Sequence, residues 1–281
     1  MTTPNYLTSR LLAVSIAILA ITGSVIPASA ASNGKIAFKS GRNSTNGIWV
    51  MNPDGTGATS LISDISHNFN DPTWSPDGTK IAFTNDPSGN SQIFVMNADG
   101  SNVTRLTNDA FSNVEPTWSP NGIKIAFAAN RDGLGVCIYS MNADGTGITK
   151  VTNGASASDQ APAWSPAGTK IAFWTNEGGI GLHIAVVNAD GTGRTGFPTA
   201  LGMNPAWSPD GTKIAYSGNT PGTYPQIYVM NADGSGQTRI TTSGVQDDQP
   251  SWSPDGTKIT FERNEGGLGL RIIVINTKRY G

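Results

Sequence analysis

Five oxygen-bearing side chains return at nearly the same point in this sequence. Asp71, Glu115, Asp159, Asn204 and Asp248 each stand one to three residues ahead of a proline that opens the segment Pro-x-Trp-Ser-Pro. Carboxylate and amide oxygens converging from several repeats are hard ligands, and Asp71, Glu115 and Asp248 together would suit a cation such as Ca²⁺. The same groups also read as caps on strand ends or as water ligands. Asp247, Trp174 and Tyr224 extend the candidate surface: the two rings are able to stack a sugar or a partner side chain, and Trp174 is open to a packing role as well.

Parts for general acid–base or nucleophilic chemistry are scarce. There are two histidines, His67 and His183, and only His67, near Asp64 and Asp71, could act as a base with an acidic orienter. No Gly-x-Ser-x-Gly elbow and no paired His or Cys at zinc spacing occurs. Asn97-Ala98-Asp99-Gly100 imitates the start of a calcium loop but lacks the later glutamate and recurs as a turn. The sequence points to a non-catalytic binding or scaffold protein, with a metal-dependent carbohydrate-binding protein or a polysaccharide lyase or hydrolase acting through these carboxylates as the alternative.

The elements that must position these residues are repeats. Pro72-Thr73-Trp74-Ser75-Pro76-Asp77-Gly78-Thr79-Lys80-Ile81-Ala82-Phe83 returns from Pro116, Pro162, Pro205 and Pro250, with tryptophans 44, 46, 43 and 45 residues apart. A sixth copy keeps only Gly34-Lys35-Ile36-Ala37-Phe38. Pro-Asp-Gly supplies a tight turn, through a preset φ, a side-chain acceptor and a positive φ in succession. Asn121 can replace the aspartate, whereas Ala167 loses its side-chain bond. The flanks are apolar on both faces, as in a sheet covered on both sides. A third strand runs into a second turn, Asn-Pro/Ala-Asp-Gly, and a weaker fourth strand follows. Four antiparallel strands per 40–45 residues, six times over, predict an all-β fold: a six-bladed β-propeller whose first and last blades are incomplete. The first lacks its strand A and the last its strand D, so closure is expected from packing of blade six on blade one.

Strand alternation puts the repeated Asp-Gly turns at one end of the ring and the variable B–C and D–A loops at the other, where ligands are expected. The variable end carries twelve acidic side chains against four basic ones, Lys39, Arg42, Arg131 and Arg263, a net of −8. Such a face attracts basic partners and repels nucleic acid.

The motif Pro-x-Trp-Ser-Pro-Asp-Gly-x-Lys-Ile-Ala-Phe, followed by Ile-Tyr-Val-Met-Asn-Ala-Asp-Gly-Ser, resembles the WD-repeat-like propeller repeat of TolB-type proteins. The resemblance implies a scaffold in the cell envelope that binds a protein partner at a propeller face. It covers the propeller only, without the α/β domain that precedes it in TolB.

Residues 1–30 contain one arginine, Arg10, no acid, an apolar run from Leu11 to Ile26, and then Pro27-Ala28-Ser29-Ala30. This reads as a signal peptide cut after Ala30, too short in its apolar run to span a membrane. Residues 31–281 then form the propeller, secreted or periplasmic, with no cysteine for lipidation near the cut and only Cys137 in the whole chain. A monomer held together by burial alone is expected, with no stable membrane insertion after cleavage.

Overall fold

Alternation of apolar residues on both faces of the Ile-Ala-Phe segments builds the interior. In the computed structural model the described residues are 14–15, 34–41, 45–52, 55–87, 89–133, 135–154, 157–218, 222–266 and 270–277. All strand pairing among them is antiparallel. Blade one holds β1 (Val14–Ser15), β2 (Ile36–Ser40), β3 (Asn46–Met51) and β4 (Thr59–Asp64). Blade two holds β5 (Asn70–Trp74), β6 (Lys80–Asn85), β7 (Gln92–Asn97) and β8 (Thr104–Arg105). Blade three holds β9 (Asn113–Trp118), β10 (Lys124–Ala129), β11 (Cys137–Asn142) and β12 (Thr149–Lys150).

Blade four follows with β13 (Asp159–Trp164), β14 (Lys170–Thr175) and β15 (His183–Asn188). Its outer strand is the first part of β16 (Thr195–Trp207), which runs on to become the inner strand of blade five. Blade five adds β17 (Lys213–Gly218), β18 (Gln226–Asn231) and β19 (Thr238–Arg239), so blades four and five form one seven-stranded sheet. Blade six has three strands, β20 (Gln246–Trp252), β21 (Lys258–Asn264) and β22 (Leu270–Asn276). The architecture is the expected six-bladed propeller, its first blade incomplete in that β1 is two residues long and its last in that, among the described residues, no fourth strand pairs with β22.

Blades join by one repeated contact. From blade two to blade six, the tryptophan and the Ile/Phe pair (Ile/Tyr in blade five) pack against residues of the blade before. Thus Trp118, Ile125 and Phe127 meet Ala82, Ile93 and Val95, and Trp164, Ile171 and Phe173 meet Ala126, Ala128 and Ile138. Burying each such large side chain is worth about 1.5–3 kcal/mol, so the six joints and not any single blade carry the stability. At the repetitive end the turn glycine of one blade lies against the turn proline of the preceding one. A Cβ on Gly122, Gly168, Gly211 or Gly256 would sit 3.6–3.8 Å from Cδ of Pro76, Pro120, Pro166 or Pro209.

The turns behave as their residues dictate. Asp77 accepts from Ser75 Oγ at 2.5 Å and from Thr79 N at 3.1 Å, and Asn121 accepts in the same way from Ser119 Oγ and Ile123 N. At Ala167 no such acceptor exists, and the turn keeps the bond from Lys170 N to Ser165 Oγ.

One feature departs from expectation. Blade one does have an inner strand, since Val14 and Ser15 pair with Phe38 and Ala37 of β2, within the stretch that reads as a leader. The rest of residues 1–30, with the cleavage site, lies outside the described residues, as do Arg42 and Asp54. Ring closure is by packing: Ile272 of β22 meets Ile36 and Phe38 of β2.

Candidate functional site

Each inner strand from blade two to blade six carries a β-bulge, one residue more than its partner strand, just ahead of its proline. The extra length is taken up by a left-handed residue: Asp71 (φ 51°), Glu115 (57°), Ala161 (51°), Asn204 (53°) and Gln249 (53°). These five residues line a central cavity of about 430 Å³ together with Trp74, Trp118, Trp164 and Trp207. A ring of five differing side chains thus stands on one repeated backbone position.

That ring overlaps the predicted one without matching it. Asp71, Glu115 and Asn204 are where the sequence reading put them, while the channel position falls to Ala161 and Gln249 in the blades of Asp159 and Asp248. Asp71 accepts from Thr84 Oγ1 at 3.2 Å, and Glu115 accepts from Ala161 N of the next blade at 2.8 Å. Asp248 accepts from Asn204 Nδ2 at 2.8 Å and from Ser217 Oγ, so it ties blade six to blade five. No group of three or more His, Cys, Asp or Glu side chains able to hold a metal ion occurs among the described residues. Asp71, Glu115 and Asp248 therefore do not assemble as one ligand set.

Asp159 and Asp247 have a different task. Both are fully buried, and each meets a guanidinium through both oxygens. Arg194 reaches Asp159 at 2.9 and 3.1 Å, and Arg263 reaches Asp247 at 2.7 and 3.0 Å. Arg194 also bonds Glu177 at 2.7 Å and lies 4.8 Å from the Phe173 ring centre; Arg263 lies 5.5 Å from that of Phe261. The hydrogen bond to Asp247 raises the Arg263 pKa further above its ordinary value. These pairs latch the variable ends of blades four and six. Nothing local in sequence announces Arg194, which lies in the turn just before β16, 35 residues after Asp159.

Pairing also changes the charge of the face. Asp109 meets Arg131, Asp132 meets Lys150, and Glu265 meets Arg271. Three cations beyond the four expected, Lys150, Arg194 and Arg271, reach acidic side chains of that end. His67 sits 3.2 Å from Asp64, whose carboxyl is held down at about 2, first by the Ser66 hydroxyl and then by the Ser66 N–H. This is a local turn on an exposed loop. Trp174 packs into the joint between blades four and five, whereas Tyr224 is 61% exposed, so the two rings do not form one stacking surface.

The TolB beta propeller domain family matches residues 17–195 and 196–275, nearly the whole ring. The chain belongs to that family. Among solved structures this TolB-type ring is similar to TolB from Acinetobacter baumannii, with a TM-score of 0.74 and 19% identity, over 88% of this chain and 62% of that one. A putative TolB from Agrobacterium tumefaciens gives a TM-score of 0.69 and 20% identity, over 80% of this chain and 82% of that one. Oligogalacturonate lyase from Vibrio parahaemolyticus gives 0.56 and 13%, over 88% of each chain. No curated protein matches the chain significantly. The chain thus spans less than two thirds of the length of the Acinetobacter protein, and the likenesses concern the fold.

Proposed function

We propose that this TolB-type ring is an exported, non-catalytic binding module that holds a protein partner at the variable-loop mouth of its central channel. The observation that carries the reading is the ring of left-handed residues. For a non-glycine residue that backbone costs roughly 1–2 kcal/mol, and glycine would adopt it without strain. None of the five blades uses glycine there. Four of the five side chains, Asp71, Glu115, Asn204 and Gln249, are polar and differ from one another, while the Pro-x-Trp-Ser-Pro that follows each is repeated. Residues that specify the blade recur; residues held at a cost beside a cavity vary, which is the pattern expected of contacts with something asymmetric.

Carboxylates at two positions and amides at two others suit a partner segment offering lysine, arginine or backbone N–H groups. The family's TolB members support an envelope or extracellular setting for such a scaffold. No observation brings the parts of a glycan-cleaving site together.

The test is crosslinking in the native host from a photoreactive residue at position 249, with the protein at its normal level. Capture of a defined protein is expected, and Asp71→Asn with Glu115→Gln should weaken it at least tenfold while the melting temperature stays within about 2 °C. Capture that is indifferent to both substitutions, or no capture at all, overturns the reading.

A further inference from the structure

The joint between blades six and one lacks parts that the other joints have. Val274 of β22 is 54% exposed, whereas its equivalents Val50, Val95, Val186 and Val229 are 4–7% exposed. Among the described residues β22 also has no outer neighbour.

Three complete blades display what covers the same edge. Their fourth strands read Thr104-Arg105-Leu106-Thr107, Thr149-Lys150-Val151-Thr152 and Thr238-Arg239-Ile240-Thr241. In each, the aliphatic residue donates its N–H to the carbonyl of the third strand at 2.8 Å: Leu106 to Ile93, Val151 to Ile138, Ile240 to Ile227. The following threonine hydroxyl accepts the N–H of that same third-strand residue at 2.9–3.0 Å. The aliphatic side chain then closes over the joint, as Leu106 does beside Val95 and Trp118. The arginine braces its own strand, since Arg105 and Arg239 each donate Nε to the carbonyl of the threonine two residues on at 2.7 Å. Register places Ile272 of β22 in the position of Ile93, Ile138 and Ile227.

We propose that the outer edge of β22 takes an extended segment of another protein as the fourth strand of blade six, one in which arginine or lysine, an aliphatic residue and threonine follow in order. The backbone groups of Ile272 supply the pairing, and Val274 supplies the apolar surface that the incoming aliphatic residue covers. This edge lies on the rim of the ring and does not depend on the channel reading.

The experiment uses the purified full chain and a synthetic peptide of residues 102–109, Asn-Val-Thr-Arg-Leu-Thr-Asn-Asp. Saturable binding is expected by calorimetry, with a melting-temperature rise on the order of 5 °C at 100 times the dissociation constant. Replacing the peptide's leucine by aspartate should weaken binding at least tenfold, and Val274→Arg, at a position already exposed, should do the same while leaving the ring folded. Absence of binding at millimolar peptide, or binding indifferent to both changes, overturns the proposal. A dimer by light scattering that Val274→Arg dissociates would make a second copy the occupant. Peptide binding that appears only after deletion of residues 1–13 would make the chain's own N-terminal segment the occupant. Either result also overturns the proposal.

Discussion

Arg194→Met is the substitution whose outcome is best fixed by the geometry. It keeps an unbranched stem against Phe173 and removes the charge that meets both oxygens of Asp159, a carboxylate with no exposed surface. Removing one member of a buried ion pair leaves its partner uncompensated and costs about 3–5 kcal/mol. In a domain of this size each kcal/mol moves the melting temperature by about 2–4 °C, so the loss should be about 6–20 °C. Glu177 meets the same arginine from a half-exposed position, and Glu177→Gln should cost only about 0–1 kcal/mol. The double substitution Asp159→Leu/Arg194→Met removes both charges and should recover most of the loss. Urea unfolding at neutral pH, read by tryptophan fluorescence, measures all three. If Arg194→Met is no more costly than Glu177→Gln, Asp159 is not the buried, charge-dependent latch described above.

The turns and the ring give four further expectations. Ala167→Asp should restore the acceptor that the other blades have and raise stability by about 0.5–1.5 kcal/mol, seen as a higher urea midpoint. Asp255 is held at about 2 by the Ser253 hydroxyl and then the Thr257 N–H; its contribution is therefore full above the unfolded value near ~3.9 and is lost as pH falls toward 2. Urea midpoints between pH 5 and pH 2 should fall less steeply in Asp255→Asn than in the native protein. Ala161→Gly relieves a left-handed alanine and should raise stability by up to about 1 kcal/mol, seen as a higher urea midpoint, whereas Glu115→Gly forfeits the acceptor for Ala161 N and should gain nothing. Millimolar Ca²⁺ added after EDTA should leave the melting temperature unchanged, because Asp248 is engaged with Asn204 and Ser217 rather than with Asp71 and Glu115.

The blades were legible because a motif that returns five times reports its own boundaries. Trp74 and its four counterparts mark the inner strands of blades two to six, and each Pro-Asp-Gly or its variant marks the turn after it. The channel ring was legible only in part. Choosing acidic residues near each proline selected Asp159 and Asp248, whereas the fixed offset, the residue immediately before the proline, leads to Ala161 and Gln249. A bulge is a backbone feature, and its position follows from spacing, not from charge. The buried latches left no local signal, since Arg194 and Asp159 meet only after a blade has folded. Continuity of β16 across two blades was hidden as well. Its segment contains Pro198 and Gly202; the chain stays extended through both, although the pairing with β15 slips between Phe197 and Leu201.

The contacts between turn glycines and turn prolines bear on how many blades the ring can have. No residue counts to six; each Gly–Pro contact sets only the angular step from one blade to the next. Small errors in that step add up around the circle, as in a row of tiles laid from one corner, and they gather where the last blade meets the first. That joint is also the one where Val274 stands uncovered. Insertion or loss of a whole repeat would therefore be felt first there, and slow breathing of the ring should register as faster amide exchange in β2 and β22 than in β10 or β14.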